Sequence, residues 1–135
     1  MVSKGQTFCK AERLCSHKQI DYLFDKGHGF MHFPFSVRWI ASDDCDVAPV
    51  RVLIVVPKRR LRHAVERNRM KRLTRECYRL RKQRLYEQLS SLSVSPILLS
   101  LCYVDNQLRD YHFLERKFDS LLERLTNEIA NAKGI

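Results

Sequence analysis

The sequence predicts an α+β domain, one sheet layered with helices, in the order helix, strands, helix, strand, helix. Three observations carry this reading. Val50 to Val56 (VRVLIVV) and Ile97 to Val104 (ILLSLCYV) are short apolar runs, partly β-branched, with the length and composition of buried strands. Three other stretches repeat apolar residues at three and four, the period of a helix. The chain has 135 residues, only four Gly and four Pro, and is 44% apolar, which fits a single domain spanning 1–135 with few internal linkers and flexible termini.

Taken in order, Ser16 to Lys26 (SHKQIDYLFDK) places Ile20, Leu23 and Phe24 at helical spacing, with Ser16 as the cap and Gly27 as the stop. Gly29 to Ala41 (GFMHFPFSVRWIA) reads as an extended segment in which Phe33, Phe35, Val37 and Trp39 share one side and Pro34 marks a bend or an edge. Asp43, Asp44, Asp46 and Pro49 form a turn into the first apolar run, and Pro57 ends that run. Ser90 to Pro96 is a Ser-rich loop. Tyr111 to Ile129 carries Phe113, Leu114, Phe118, Leu121, Leu122, Leu125 and Ile129 at helical spacing, with Asp110 as its cap. The pattern implies a sheet covered by helices on one face. If the two apolar runs are parallel neighbours, the helix between them is their crossover, by general rule right-handed.

That middle segment concentrates the charge. Lys58 to Arg84 holds 13 Lys and Arg against two Glu, whereas the whole chain has a net charge of +10, so the remainder is close to neutral. With about 100° per residue, Met70, Leu73, Cys77 and Leu80 form an apolar stripe, and Asn68, Arg72, Arg75, Arg79 and Lys82 repeat on the opposite side. A solvated helix face mixes signs to gain pairs at i, i+4; here like charges repeat at that spacing, which points to an anionic partner. A localised basic face with a pI near 9.7 favours a polyanion, nucleic acid before acidic lipid.

Much chemistry is excluded. Four glycines leave no room for a phosphate-binding or dinucleotide fingerprint, and no nucleophile elbow is present. Asp43, Asp44 and Asp46 sit in a turn and read as turn residues rather than a two-metal site. His28 and His32 lack a cysteine half for zinc, and Cys9, Cys15, Cys45, Cys77 and Cys102 contain no C-x-x-C pair and read as reduced, small apolar residues. No catalytic residue and no bound metal is expected of the protein itself. No apolar run reaches the length of a membrane span and no secretory h-region opens the chain, so a cytoplasmic protein with no membrane partner is expected.

At the centre of the basic segment, Arg67-Asn68-Arg69-Met70-Lys71-Arg72-Leu73-Thr74-Arg75-Glu76, preceded by Ala64-Val65, resembles the R-N-x-x-K-R-x-x-R signature of the protein subunit of bacterial ribonuclease P. Lys10 to Leu14 (KAERL), Leu23-Phe24 and Gly27 resemble the family's amino-terminal region and first helix, and Lys58-Arg59-Arg60 stands where the family approaches its motif. The resemblance spans about 10–125. It implies a ribosomal-protein-like α/β sandwich whose crossover is left-handed. It also implies a subunit that binds the catalytic RNA of ribonuclease P and the 5′ leader of precursor tRNA, in an endonuclease that generates the mature tRNA 5′ end, with magnesium held at the RNA active site. Carried over by position, Lys58, Arg59, Arg60, Arg67, Asn68, Arg69, Lys71, Arg72, Arg75 and Arg79 become RNA contacts, and Phe24, Phe35 and Val37 line the leader cleft. Ile20 stands where many members have Phe, Arg62 where they have Gly, and Arg38 near where some have an aromatic. The residues by themselves also fit a ribosomal or assembly protein without enzymatic context. A DNA reader is disfavoured, because the cations cover a broad arc and nothing suggests paired half-sites.

Overall fold

The computed structural model describes residues 12–41, 49–92 and 96–132. The turn expected at Asp43, Asp44 and Asp46, the flexibility expected of the termini, Cys9 and Cys45 therefore lie outside the described residues. The elements are α1 (His17–Lys26), β1 (His28–His32), β2 (Phe35–Ala41), β3 (Val50–Val55), α2 (Ala64–Ser91), β4 (Ile97–Tyr103) and α3 (Tyr111–Ala132). The strands form one sheet in the order β1-β2-β4-β3. β2 runs antiparallel to both β1 and β4, and β3 is parallel to β4.

α1 begins and ends where its sequence says. Ser16 Oγ accepts from the Gln19 N–H at the amino end, and the Gly27 N–H closes the other end on the Leu23 carbonyl. A Cβ at position 27 would lie 2.2 Å from that carbonyl oxygen, so glycine is required there by space. The extended segment expected over Gly29 to Ala41 is instead a hairpin. Phe33 and Pro34 make its turn, because Pro lacks the N–H a ladder needs and favours a turn, and Phe33 leaves the side it was expected to share.

The faces of the sheet follow strand parity. Phe35, Val37 and Trp39 of β2, Val50 and Val52 of β3, and Ile97, Leu99, Leu101 and Tyr103 of β4 pack under α2 and α3. Ile40 and Leu98 face the other way and pack with Leu14 and Leu23 of the α1 segment. The single-faced arrangement expected for the helices is thus corrected: α2 and α3 form the main layer, and the short α1 lies across part of the opposite face. The chain entering α1 also binds the outer edge of β3, where the Leu14 N–H donates to the Val52 carbonyl at 2.9 Å.

The hand of the crossover can be read from one residue. Ile97 donates its N–H to the Pro49 carbonyl beside β3, while its side chain lies in the core under α2 and α3. For an L-residue this puts β3 to the right of β4, seen from the helices with β4 running upward. A chain that leaves β3, passes over α2 and returns as β4 therefore moves leftward. The crossover is left-handed, against the general rule.

The basic segment differs from its expectation at both ends. Lys58 to Arg62 are not helical: after Pro57 the chain makes a tight turn, with the Arg60 and Leu61 N–H groups on the Pro57 carbonyl, and α2 starts at Ala64. It then continues to Ser91, because Leu85 and Leu89 extend its buried side, so part of the Ser-rich loop is helix. That side includes Met70, Thr74, Cys77, Tyr78, Leu85 and Leu89, whose centre is rotated by about 85° from the predicted stripe at about 100° per residue. Leu80 is consequently 46% exposed, and Lys82, expected among the outward cations, is 1% exposed.

Candidate nucleic-acid interface

α2 presents its cations in two settings. In its first half, Asn68, Arg69, Arg72 and Arg75 are exposed and Lys71 is half-buried. Among the described residues none of these side chains has a hydrogen-bond or ion-pair partner. Lys58 and Arg59, in the turn just before the helix, are likewise exposed and unpaired among the described residues. Glu66 is the acid of the first turn, and it lines an open cleft with Arg60, Arg62 and His63. Arg72 and Arg75 are separated by three residues and Lys71 and Arg75 by four, so each pair repels by a few tenths of a kcal/mol when no anion lies between them.

Two residues of the basic segment, Arg67 and Arg60, fix the local geometry. The Arg67 guanidinium donates through one nitrogen to the carbonyls of Leu61, at 3.0 Å, and Arg62, at 2.8 Å. It thereby ties the basic turn to the first turn of α2. Arg60 reaches Asn106 Oδ1 at 3.4 Å and links the same turn to the loop after β4. Both can still present charge, but their geometry is that of residues positioning Lys58, Arg59 and Arg62.

From Arg79 to Lys82 the cations are paired. Arg79 donates two hydrogen bonds to Glu76, and this holds the Glu76 carboxyl below its ordinary pKa. Arg79 therefore differs from the other expected contacts in being neutralised within its own helix. Arg81 bridges to Asp119 at 2.6 Å and Glu115 at 3.0 Å on α3; although burial works to lower its pKa, these hydrogen bonds hold it above that of a free guanidinium. Lys82 places its Nζ 2.7 Å from both carboxylate oxygens of Glu12, and Tyr86 donates to the same carboxylate at 2.6 Å. Cys77, in the core between these groups, is pushed up to about 11 by burial.

The expected leader cleft requires a correction. Phe35 and Val37 are fully buried under α2 and α3 and offer no surface to a strand of RNA. Strand parity is the reason: in β2 the residues facing the open side are Ser36, Arg38 and Ile40. The α1 segment covers Ile40 and packs against Leu53, and the uncovered strip consists of Ser36 and Arg38 of β2, Val55 of β3 and Cys102 of β4, all half-buried. Phe24 stands at its rim, 45% exposed. The Arg38 guanidinium lies 5.8 Å from the Phe24 ring centroid and donates to the Phe24 carbonyl at 3.2 Å. At the other end, Arg59 and Arg60 act electrostatically on Cys102, although burial dominates and raises that thiol. Arg38 and this strip were missed as site residues, yet the alternation of Ser36 and Arg38 with Phe35, Val37 and Trp39 was the signal for them.

Among the described residues no group of three or more His, Cys, Asp or Glu side chains is arranged to hold a metal ion, and no helix is long and apolar enough to cross a membrane. The exposed cations of the turn and of the first half of α2 can neutralise and position a polyanion.

Residues 8–126 match the family model described as Ribonuclease P. The ribonuclease P protein component of Porphyromonas gingivalis is 32% identical over 123 residues, covering 91% of this chain and 89% of that protein. That of Chlorobium phaeobacteroides is 57% identical over 37 residues, 27% of this chain. Among solved structures, the RNase P protein of Staphylococcus aureus superposes with a TM-score of 0.67 at 20% identity, covering 86% of this chain and 96% of that one. The RNase P protein of Thermotoga maritima gives 0.63 at 22% identity, with coverages of 84% and 96%. These two likenesses concern the fold.

Proposed function

The chain belongs to the ribonuclease P protein family, and we propose that it is the RNA-binding subunit of that ribonucleoprotein endonuclease, acting in the cytoplasm on precursor tRNA. The observation that carries the reading is the set of unpaired cations from Lys58 to Arg75, held on one rigid helix and the turn before it. Each phosphate they neutralise releases condensed counterions, so affinity comes with a steep dependence on salt. In this reading the catalytic RNA of ribonuclease P docks on that face, with Lys58, Arg59, Arg60, Arg67, Asn68, Arg69, Lys71, Arg72 and Arg75 as contacts and Arg79 at the margin.

The 5′ leader would lie along the open strip of the sheet, with Phe24 as the stacking surface and Arg38, Arg59 and Arg60 for its phosphates. Stacking on one ring contributes about 1–3 kcal/mol per base and tolerates any sequence. The protein's share in catalysis is capture of the substrate and screening of repulsion between two RNAs. The hydrolytic step, with its magnesium ions, is assigned to the RNA, since among the described residues no group of three or more His, Cys, Asp or Glu is arranged to hold a metal ion.

The test is reconstitution with a catalytic ribonuclease P RNA and a precursor tRNA. The protein alone should leave precursor tRNA intact, and with the RNA it should raise cleavage at low magnesium. Phe24→Ala should weaken binding of a precursor with several leader nucleotides and leave mature tRNA unaffected. Copurification with ribosomal RNA and no stimulation of cleavage would replace this reading with that of an assembly protein.

A further inference from the structure

The opposite edge of the sheet carries a second cluster of cations, built differently from the first. Arg109 has its guanidinium 4.8 Å from the centroid of Phe113 and 5.9 Å from that of Phe33. Lys117 Nζ lies 5.5 Å from the Phe113 ring. Arg124 sits 4.7 Å from Phe30 and donates to the Met31 carbonyl at 2.7 Å, fastening α3 to β1. Phe33, in the hairpin turn, remains 46% exposed.

The charge of this corner results from how α3 divides its ions. Glu115 and Asp119 turn toward Arg81 of α2. At about 100° per residue, Phe113, Arg116, Lys117, Ser120 and Arg124 share the side toward β1. Asp105 answers Arg109 and Glu128 lies 3.8 Å from Arg124, while the side chains of Arg116 and Lys117 have no acidic partner among the described residues. His32 reports the resulting potential: burial, and then Arg124 and Lys117, hold its pKa below the ordinary value.

We propose that the β1–β2 turn and the first turns of α3 form a second RNA-binding surface, which takes an unpaired RNA segment by stacking a base on Phe33 and placing its phosphates on Lys117 and Arg116. The rings are separate and set among cations rather than joined into an apolar patch, which is the chemistry of a single-strand platform and not of a protein docking face. Guanidinium already over Phe33 strengthens such a stack from the other side. β1 and β3 are opposite edges of the sheet, about 14 Å apart at the usual strand spacing, so this contact is separate from the one at α2.

The test uses the full chain with Arg72→Ala and Arg75→Ala, which reduces binding at α2, and a ten-nucleotide oligouridylate as probe at low salt. The ring resonances of Phe33 and Phe113 should shift on titration. Added singly, Phe33→Ala should weaken binding by about fivefold, the low end of what loss of one stack costs, and Lys117→Gln should weaken binding and make the salt slope shallower by about one. Phe33→Ala should leave the melting temperature unchanged; if it does not, Lys117→Gln, with its head outside the core, decides. Silent rings while α2 amides shift would overturn this proposal and leave the reading of α2 intact. Self-association abolished by Phe33→Ala would also overturn it, by showing that a second copy occupies the surface.

Discussion

The two halves of α2 contain the same kinds of residue under opposite conditions. From Asn68 to Arg75 the cations are exposed or half-buried with no acid to answer them among the described residues; from Arg79 to Lys82 each has a carboxylate, on the same helix, on α3 or on the segment before α1. Local sequence does not separate them, since both halves are rich in Arg and Lys. Tertiary neighbours do: carboxylates of α3 and of the entering chain reach the second half, and among the described residues none reaches the cations from Asn68 to Arg75. Paired cations secure layers to one another, and unpaired ones repel until an anion arrives.

The strongest way to break this contrast is at the buried pair. Glu12→Gln leaves the Lys82 ammonium, 1% exposed, without a counter-charge, and should lower unfolding free energy by about 3–5 kcal/mol in a urea titration. The double change Glu12→Gln, Lys82→Met should restore much of it, because a straight apolar chain fills the same space. The salt slope of RNA binding should remain that of the wild type for both.

Arg72→Ala with Arg75→Ala addresses the open half. The slope of log affinity against log salt should become shallower by about one to two, while stability stays within about 0.5 kcal/mol. A melted helix with an unchanged slope would show that these arginines are structural.

Arg81→Gln removes the link between α2 and α3. Its partners are partly exposed, so a loss of about 1 kcal/mol, again with RNA binding unaltered, is the expected outcome.

The smallest effect tests the boundary itself. Glu76→Gln frees Arg79 and should steepen the salt slope by less than about one. The pair also has a pH signature: because Arg79 depresses the Glu76 pKa, its contribution is present above the unfolded carboxylate value and is lost as pH falls through the lower folded one. Carbon-detected titration of Glu76 should show that low midpoint, and Arg79→Ala should return it to the ordinary range.

Local signals determined a good deal of this protein. Caps at Ser16, Gly27 and Asp110, the apolar runs of β3 and β4, the three-four spacing of α1 and α3 and the concentration of charge in one helix are properties of neighbouring residues, and short-range physics suffices to read them. The motif from Arg67 to Arg75 was legible for the same reason. Tertiary structure decided what depends on a partner far along the chain. Phe35 and Val37 look like any apolar strand residues until α2 and α3 choose their face; Ser36 and Arg38 become the open strip only by that choice. The crossover hand rests on where β3 pairs. Lys82 cannot be told from Arg72 by composition, and becomes a buried residue because Glu12, 70 positions away, folds back to meet it. A charge is written in the sequence, but whether it is available to RNA depends on which other charge the fold brings within hydrogen-bond reach.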